Sequence, residues 1–113
     1  MEIKDRVEEA ILAFALGEDE KAESSLLDIV KEAPSSVDAL RALSEVSLSM
    51  GKVEQAESFC RSALEECPDD LSLMVTLSRI LVRKGDKEGA EEAAAKARIL
   101  GWKEELAEDG TTT

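Results

Sequence analysis

The chain has 113 residues, 43% of them apolar and 3% aromatic, and a formal net charge of -12 from 26 acidic and 14 basic side chains. That length suits one compact unit, and its core must be aliphatic, because Phe14, Phe59 and Trp102 are its only aromatic residues. The acidity excludes a counterion-displacing grip on nucleic acid and adsorption to anionic membranes. The longest apolar run, Ala10 to Leu16, falls far short of the roughly 20 residues of a membrane span.

Hydrophobic spacing places long helices over about 3–16, 19–33, 37–50, 53–67, 70–84 and 87–100, with a short one near 102–108. The first carries Ile3, Val7, Ala10, Ile11 and Phe14, a stripe rotated from that of helix two and so turned toward the groove rather than toward its own partner helix. The third shows Val37, Leu40, Leu43, Val46 and Met50 at three- and four-residue steps, with Ser36 before it as N-cap. Gly51 then supplies a left-handed helix end. The fourth opens with Glu54 and Glu57 near the positive end of its dipole, buries Val53, Ala56, Phe59, Cys60, Ala63 and Leu64, and stops at Pro68. Asp70 is placed to cap the fifth helix, and Gly101 to end the sixth. Trp102 and Leu106 would then form the apolar side of a final short helix that covers the core, followed by a polar tail over 109–113.

Three of these junctions share one segment, Gly-x-x-Glu-x-Ala-Glu, beginning at Gly17, Gly51 and Gly85, each copy 34 residues after the last. Pro34 pairs with Pro68 in the same register, and Ala63 with Ala97. A fixed period of this length means a stack of similar two-helix units. Here the units span about 3–36, 37–70 and 71–104, in a domain of residues 1–108. Ala22, Ala56 and Ala90 fall where two helices cross closely and a larger side chain would separate them.

This pattern resembles the tetratricopeptide repeat, and the resemblance covers about nine-tenths of the chain. It implies an all-α, right-handed superhelical array of helix-turn-helix units, closed here by the short C-terminal capping helix. The sequence departs from the family pattern early in the first helices, where Arg6, Leu40 and Met74 replace a large aromatic, and near their middles, where Ala10, Ser44 and Ser78 replace glycine. Those departures predict thinner packing.

Nothing points to catalysis, a metal or a cofactor. The chain has no histidine, the commonest general base and neutral metal ligand. The acidic runs Glu18–Glu20, Glu65–Glu66 and Asp69–Asp70 lack the spacing of a calcium loop. Cys60 and Cys67 sit seven apart on one predicted helix, roughly 10 Å along its axis, too far for an intrachain disulfide. Two free thiols predict a reducing compartment and hence the cytoplasm, and the acidic N-terminal segment is unlike a secretory signal.

The resemblance implies that the first helices of the three units line a concave groove that binds an extended or helical segment of a protein partner. Aligning the units places Val7, Arg41 and Val75 in one row, Ile11, Glu45 and Arg79 in the next, then Phe14, Leu48 and Val82, with Arg83 beyond. An apolar strip, Phe14–Leu48–Val82, would lie beside Arg41, Arg79 and Arg83, fitting a partner with acidic and apolar side chains. Internal pairing of Arg41 or Arg79 with Glu45 is the competing role for these arginines. The lysine, asparagine and arginine set with which some family members clasp acidic chaperone tails is absent, its positions being held by Val7, Ile11, Ala42, Ser72 and Thr76. The alternatives to a partner-binding groove are a homodimer that buries the first-helix stripe and a dedicated chaperone shielding a partner helix.

Overall fold

A computed structural model describes the backbone of residues 1–112 and the side chains of residues 1–108. Six helices follow in order: α1 (Ile3–Ala15), α2 (Asp19–Glu32), α3 (Val37–Ser49), α4 (Val53–Glu66), α5 (Leu71–Lys84) and α6 (Lys87–Thr112). No strand occurs among the described residues, and no helix there is long and apolar enough to cross a membrane. Each helix packs on the next, and α1 also touches α3, as α3 touches α5. The odd-numbered helices therefore form one continuous inner layer. The even-numbered helices form an outer one whose backbones stay further apart than those of neighbouring helices. This is the three-unit helical array that the repeat predicts.

Each repeated glycine makes the same turn. Gly17, Gly51 and Gly85 have φ of 84°, 78° and 89°. In each case the following amide donates back five residues: Glu18 to the Ala13 carbonyl, Lys52 to Ser47 and Asp86 to Leu81, all at 2.9 Å. That bond and the left-handed residue are the Schellman helix end, which satisfies carbonyls that the helix leaves open. The second helices of units one and two end differently. Ala33 (φ -134°, ψ 77°) and Cys67 (φ -131°, ψ 77°) are driven out of helical geometry by the prolines that follow them. Ser36 and Asp70 then start the next helices by accepting from the amides of Ala39 and Leu73.

The repeat's alanines lie in the core: Ala22 and Ala56 are fully buried and Ala90 nearly so. The last glutamate of the repeated segment reaches forward one unit. Glu23 accepts from Lys52 at 2.7 Å and Glu57 from Lys84 at 2.8 Å, so these carboxylates tie α2 to the turn after α3 and α4 to the end of α5.

The C-terminal end differs from expectation. Gly101 does not end a helix, and there is no separate capping helix, because α6 runs unbroken from Lys87 to Thr112. At the position where units one and two carry proline, unit three carries Trp102, whose N–H lets the backbone ladder continue. Trp102 and Leu106 stay 66% and 68% exposed and cover nothing. The tail expected over 109–113 is helical backbone as far as Thr112, while Thr113 lies outside the described residues.

Candidate functional site

The inner layer opens into a cleft of about 420 Å³ between α1 and α3. Val7, Ile11 and Phe14 form its α1 wall, and Ala42 and Val46 its α3 wall. Lys4, Glu8, Asp38, Arg41 and Glu45 make the charged rim. Val7 and Val46 belong to the core and form the floor, Phe14 is half-buried, and Ile11 is 47% exposed and marks the mouth. Of the α1 stripe, Val7, Ile11 and Phe14 line this cleft. Against expectation, the stripe is not turned off its partner helix, because Ile3, Val7, Ala10 and Phe14 pack in one core with Ala22, Leu26 and Ile29 of α2, so it serves the partner helix and the groove together.

Five of the expected groove residues thus meet in one place: Val7, Ile11, Phe14, Arg41 and Glu45. The other five do not join them. Leu48 is buried, packed with the apolar side chains of α4, α5 and α6, so the Phe14–Leu48–Val82 strip is interrupted at its middle. Val82 is exposed, but it borders a shallow depression between α5 and α6. Val75, Arg79 and Arg83 are exposed on α5, outside the cleft. Lys4, Glu8, Asp38, Ala42 and Val46 were not marked by the sequence alignment. Lys4, Glu8, Asp38 and Ala42 follow from helical spacing, since each lies three residues before an expected groove residue on its own helix, whereas Val46 belongs to the apolar stripe of α3.

The arginines are largely engaged internally. Arg41 donates to Asp38 at 3.0 Å and, more closely, to Asp70. Arg79 donates to Glu45 at 3.1 Å, as the row alignment of these two residues anticipates. Arg83 is in no ion pair among the described residues. Asp70 serves two elements at once, capping α5 through the Leu73 amide at 2.9 Å and holding Arg41. Burial raises its carboxyl pKa, but the Leu73 amide and the Arg41 charge outweigh burial and leave it below the usual aspartate value. With its guanidinium held on both sides, Arg41 is a fixed wall of the cleft.

No family model matches the sequence, and no curated protein matches it. Solved structures do. The chain superposes on the MamA RS-1 ArsTM double mutant with a TM-score of 0.84 at 19% identity, over 90% of this chain and 57% of that one. It superposes on the Yersinia enterocolitica type III secretion translocator chaperone SycD with a TM-score of 0.84 at 17% identity, covering 97% of this chain and 84% of that one. The second TPR of Spaghetti (RPAP3), bound to the HSP90 peptide SRMEEVD, gives 0.82 at 14% identity, over 87% of this chain and 91% of that one. The chain therefore spans little more than half the length of the MamA chain it resembles. At these identities the likeness establishes the fold: a tetratricopeptide-type array of three units.

Proposed function

We propose that this three-repeat tetratricopeptide array is a protein-interaction module that takes an extended or helical segment of a partner in its concave groove. The apolar cleft between α1 and α3 is the observation that carries the reading. A large aliphatic or aromatic side chain entering against Ile11, Phe14 and Ala42 would gain about 1.5–3 kcal/mol from burial. The fixed charges of Arg41 and Glu45 at the rim would orient the segment. Acidic side chains of the partner would reach the α5 end, where Arg83 is unpaired among the described residues and Arg79 is half-exposed.

The solved neighbours support the general reading, one being a TPR bound to a peptide and another a chaperone. The HSP90 peptide itself is not the expected ligand here, because Val7, Ile11, Ala42, Ser72 and Thr76 hold the positions that would grip it. The role is non-catalytic. Two unpaired thiols fit a reducing compartment such as the cytoplasm.

Selection of a displayed random peptide library on the immobilised chain tests the groove. Bound peptides are expected to be rich in large apolar residues. They should lose at least tenfold in affinity with Ile11→Glu and little with Lys31→Glu on the outer layer. Peptides indifferent to Ile11→Glu would remove the cleft as the binding site.

A further inference from the structure

The last helix has two apolar faces, and only one is used. Ala90, Ala93, Ala97 and Leu100 are buried in the core. On the opposite side, about 180° around the helix at 100° per residue, Ile99, Trp102 and Leu106 are exposed at 50%, 66% and 68%. The equivalents of Ile99 in the first two units are Lys31 and Glu65, both charged and exposed, so this stripe belongs to unit three alone.

Building on the groove reading above, we propose that the cleft's occupant is a second copy of this chain, with its α6 lying antiparallel along α1. The two stripes have matching steps. From Val7 to Ile11 to Phe14 the intervals are four and three residues. From Leu106 back to Trp102 to Ile99 they are again four and three. Laid antiparallel, they form three layers: Leu106 above Val7, which is 3% exposed on the cleft floor, Trp102 beside the exposed Ile11, and Ile99 against the half-buried Phe14. These alternating intervals are those of a coiled-coil seam, which keeps both stripes in contact along the pair. In this register Trp102 enters the cleft mouth beside Ile11.

Charge fits the same register. Glu8 flanks the α1 stripe one residue after Val7, and Lys103 flanks the α6 stripe one residue after Trp102. In the antiparallel pair these two flanking positions face each other. Both side chains are exposed, and neither forms an ion pair among the described residues. Each copy would use α6 as donor and the cleft as acceptor, two different surfaces. Such a head-to-tail contact continues into longer assemblies unless the rotation closes a ring.

Sedimentation equilibrium across a concentration series tests the proposal, with emission from Trp102, the chain's only tryptophan, as a second readout. The wild type should gain average mass beyond that of a dimer as concentration rises, while its emission shifts to the blue. Trp102→Glu alone and Ile11→Glu alone should each stay monomeric, with helix content unchanged by circular dichroism. Mixed in equal amounts they should form dimers and nothing larger, because one retains an intact cleft and the other an intact helix. Lys103→Glu should weaken association at least fivefold, and Glu8→Lys in the same chain should restore it. A wild type that remains monomeric throughout, or a mixture that fails to dimerise, overturns the proposal. Library peptides that still require Ile11 would in that case preserve the groove and remove only the second copy as its occupant.

Discussion

Glu45 and Arg79 stand one repeat apart and meet across the inner layer, with Arg79 Nη1 3.1 Å from Oε1 and 3.3 Å from Oε2 of Glu45. The Thr76 hydroxyl donates to the same Oε1 at 2.8 Å, so one carboxylate on α3 receives two donors from α5. The pair bridges unit two and unit three, but water screens it, since the Arg79 side chain is 56% exposed. Arg79→Ala is therefore expected to cost less than about 1 kcal/mol in denaturant unfolding. The difference should shrink further at high salt. A loss several times larger would mean that the unit interface depends on this charge.

Glu57 gives the array a pH dependence. Hydrogen bonds from Lys84 and Arg61 hold its carboxyl below the ordinary glutamate value, against a smaller opposing effect of burial. A carboxyl whose folded-state pKa is depressed contributes stability above its unfolded pKa. That contribution is lost as pH falls through the folded value. Glu57→Gln should thus lower the melting temperature at neutral pH. The gap to wild type should close in acid, below the unperturbed value of 4.5. A gap that persists at the lowest pH would show that Glu57 acts through packing and not through its charge.

The two cysteines should differ sharply toward alkylation. Cys60 is fully buried on α4, its thiol donates to the Leu73 carbonyl at 3.4 Å, and burial pushes its pKa up to about 11. Since the thiolate is the reacting form, Cys60 is protected both by access and by protonation. Cys67, half-buried at the end of the same helix, lacks that cover. Iodoacetamide at neutral pH should add one label to the native chain, at Cys67, and a second only in denaturant, as read by peptide mass. Rapid native labelling at Cys60 would mean that α4 and α5 separate readily.

The sequence alone carried the array because its signals are local and repeated. A left-handed glycine, a pre-proline stop and an N-cap each act within five residues, and three copies in register leave one architecture open. The cleft was half legible for the same reason: the apolar stripe of α1 names Val7, Ile11 and Phe14. Row alignment also placed Glu45 beside Arg79. It could not show that Leu48, in the same row as Phe14, is enclosed by α4, α5 and α6, because that burial depends on how whole helices stack and not on local pattern. Asp70 is another such case, its role as N-cap being local and its hold on Arg41, 29 residues away, not. At the C-terminus a local rule misled. Glycine after a helical stretch usually marks an end, but without proline at the next position nothing stops α6 at Gly101.

Trp102→Ala separates the two accounts of that end. A tryptophan covering the core would cost about 3–5 kcal/mol on truncation. With its side chain two-thirds exposed on a continuous helix, the change is expected to stay within about 0.5 kcal/mol, as surface substitutions do. Emission from the dilute wild type should likewise be that of a solvated indole.

Glycine-to-alanine changes at Gly85 and Gly101 should have opposite signs, although a Cβ would meet nothing within 4 Å at either position. Gly85 has φ of 89°, where a side chain strains the backbone. Gly85→Ala should therefore destabilise the chain by about 1–2 kcal/mol. Gly101 sits inside α6 without positive φ, where glycine is the poorer helix former by about 1 kcal/mol. Gly101→Ala should then stabilise by about 0.5–1 kcal/mol, partly by restricting the unfolded chain. Unfolding both variants in urea decides it, because equal slopes against denaturant would show that the midpoints report stability alone. Loss of stability in Gly101→Ala would restore the helix end at Gly101. It would also break the continuous surface that presents Ile99, Trp102 and Leu106 together.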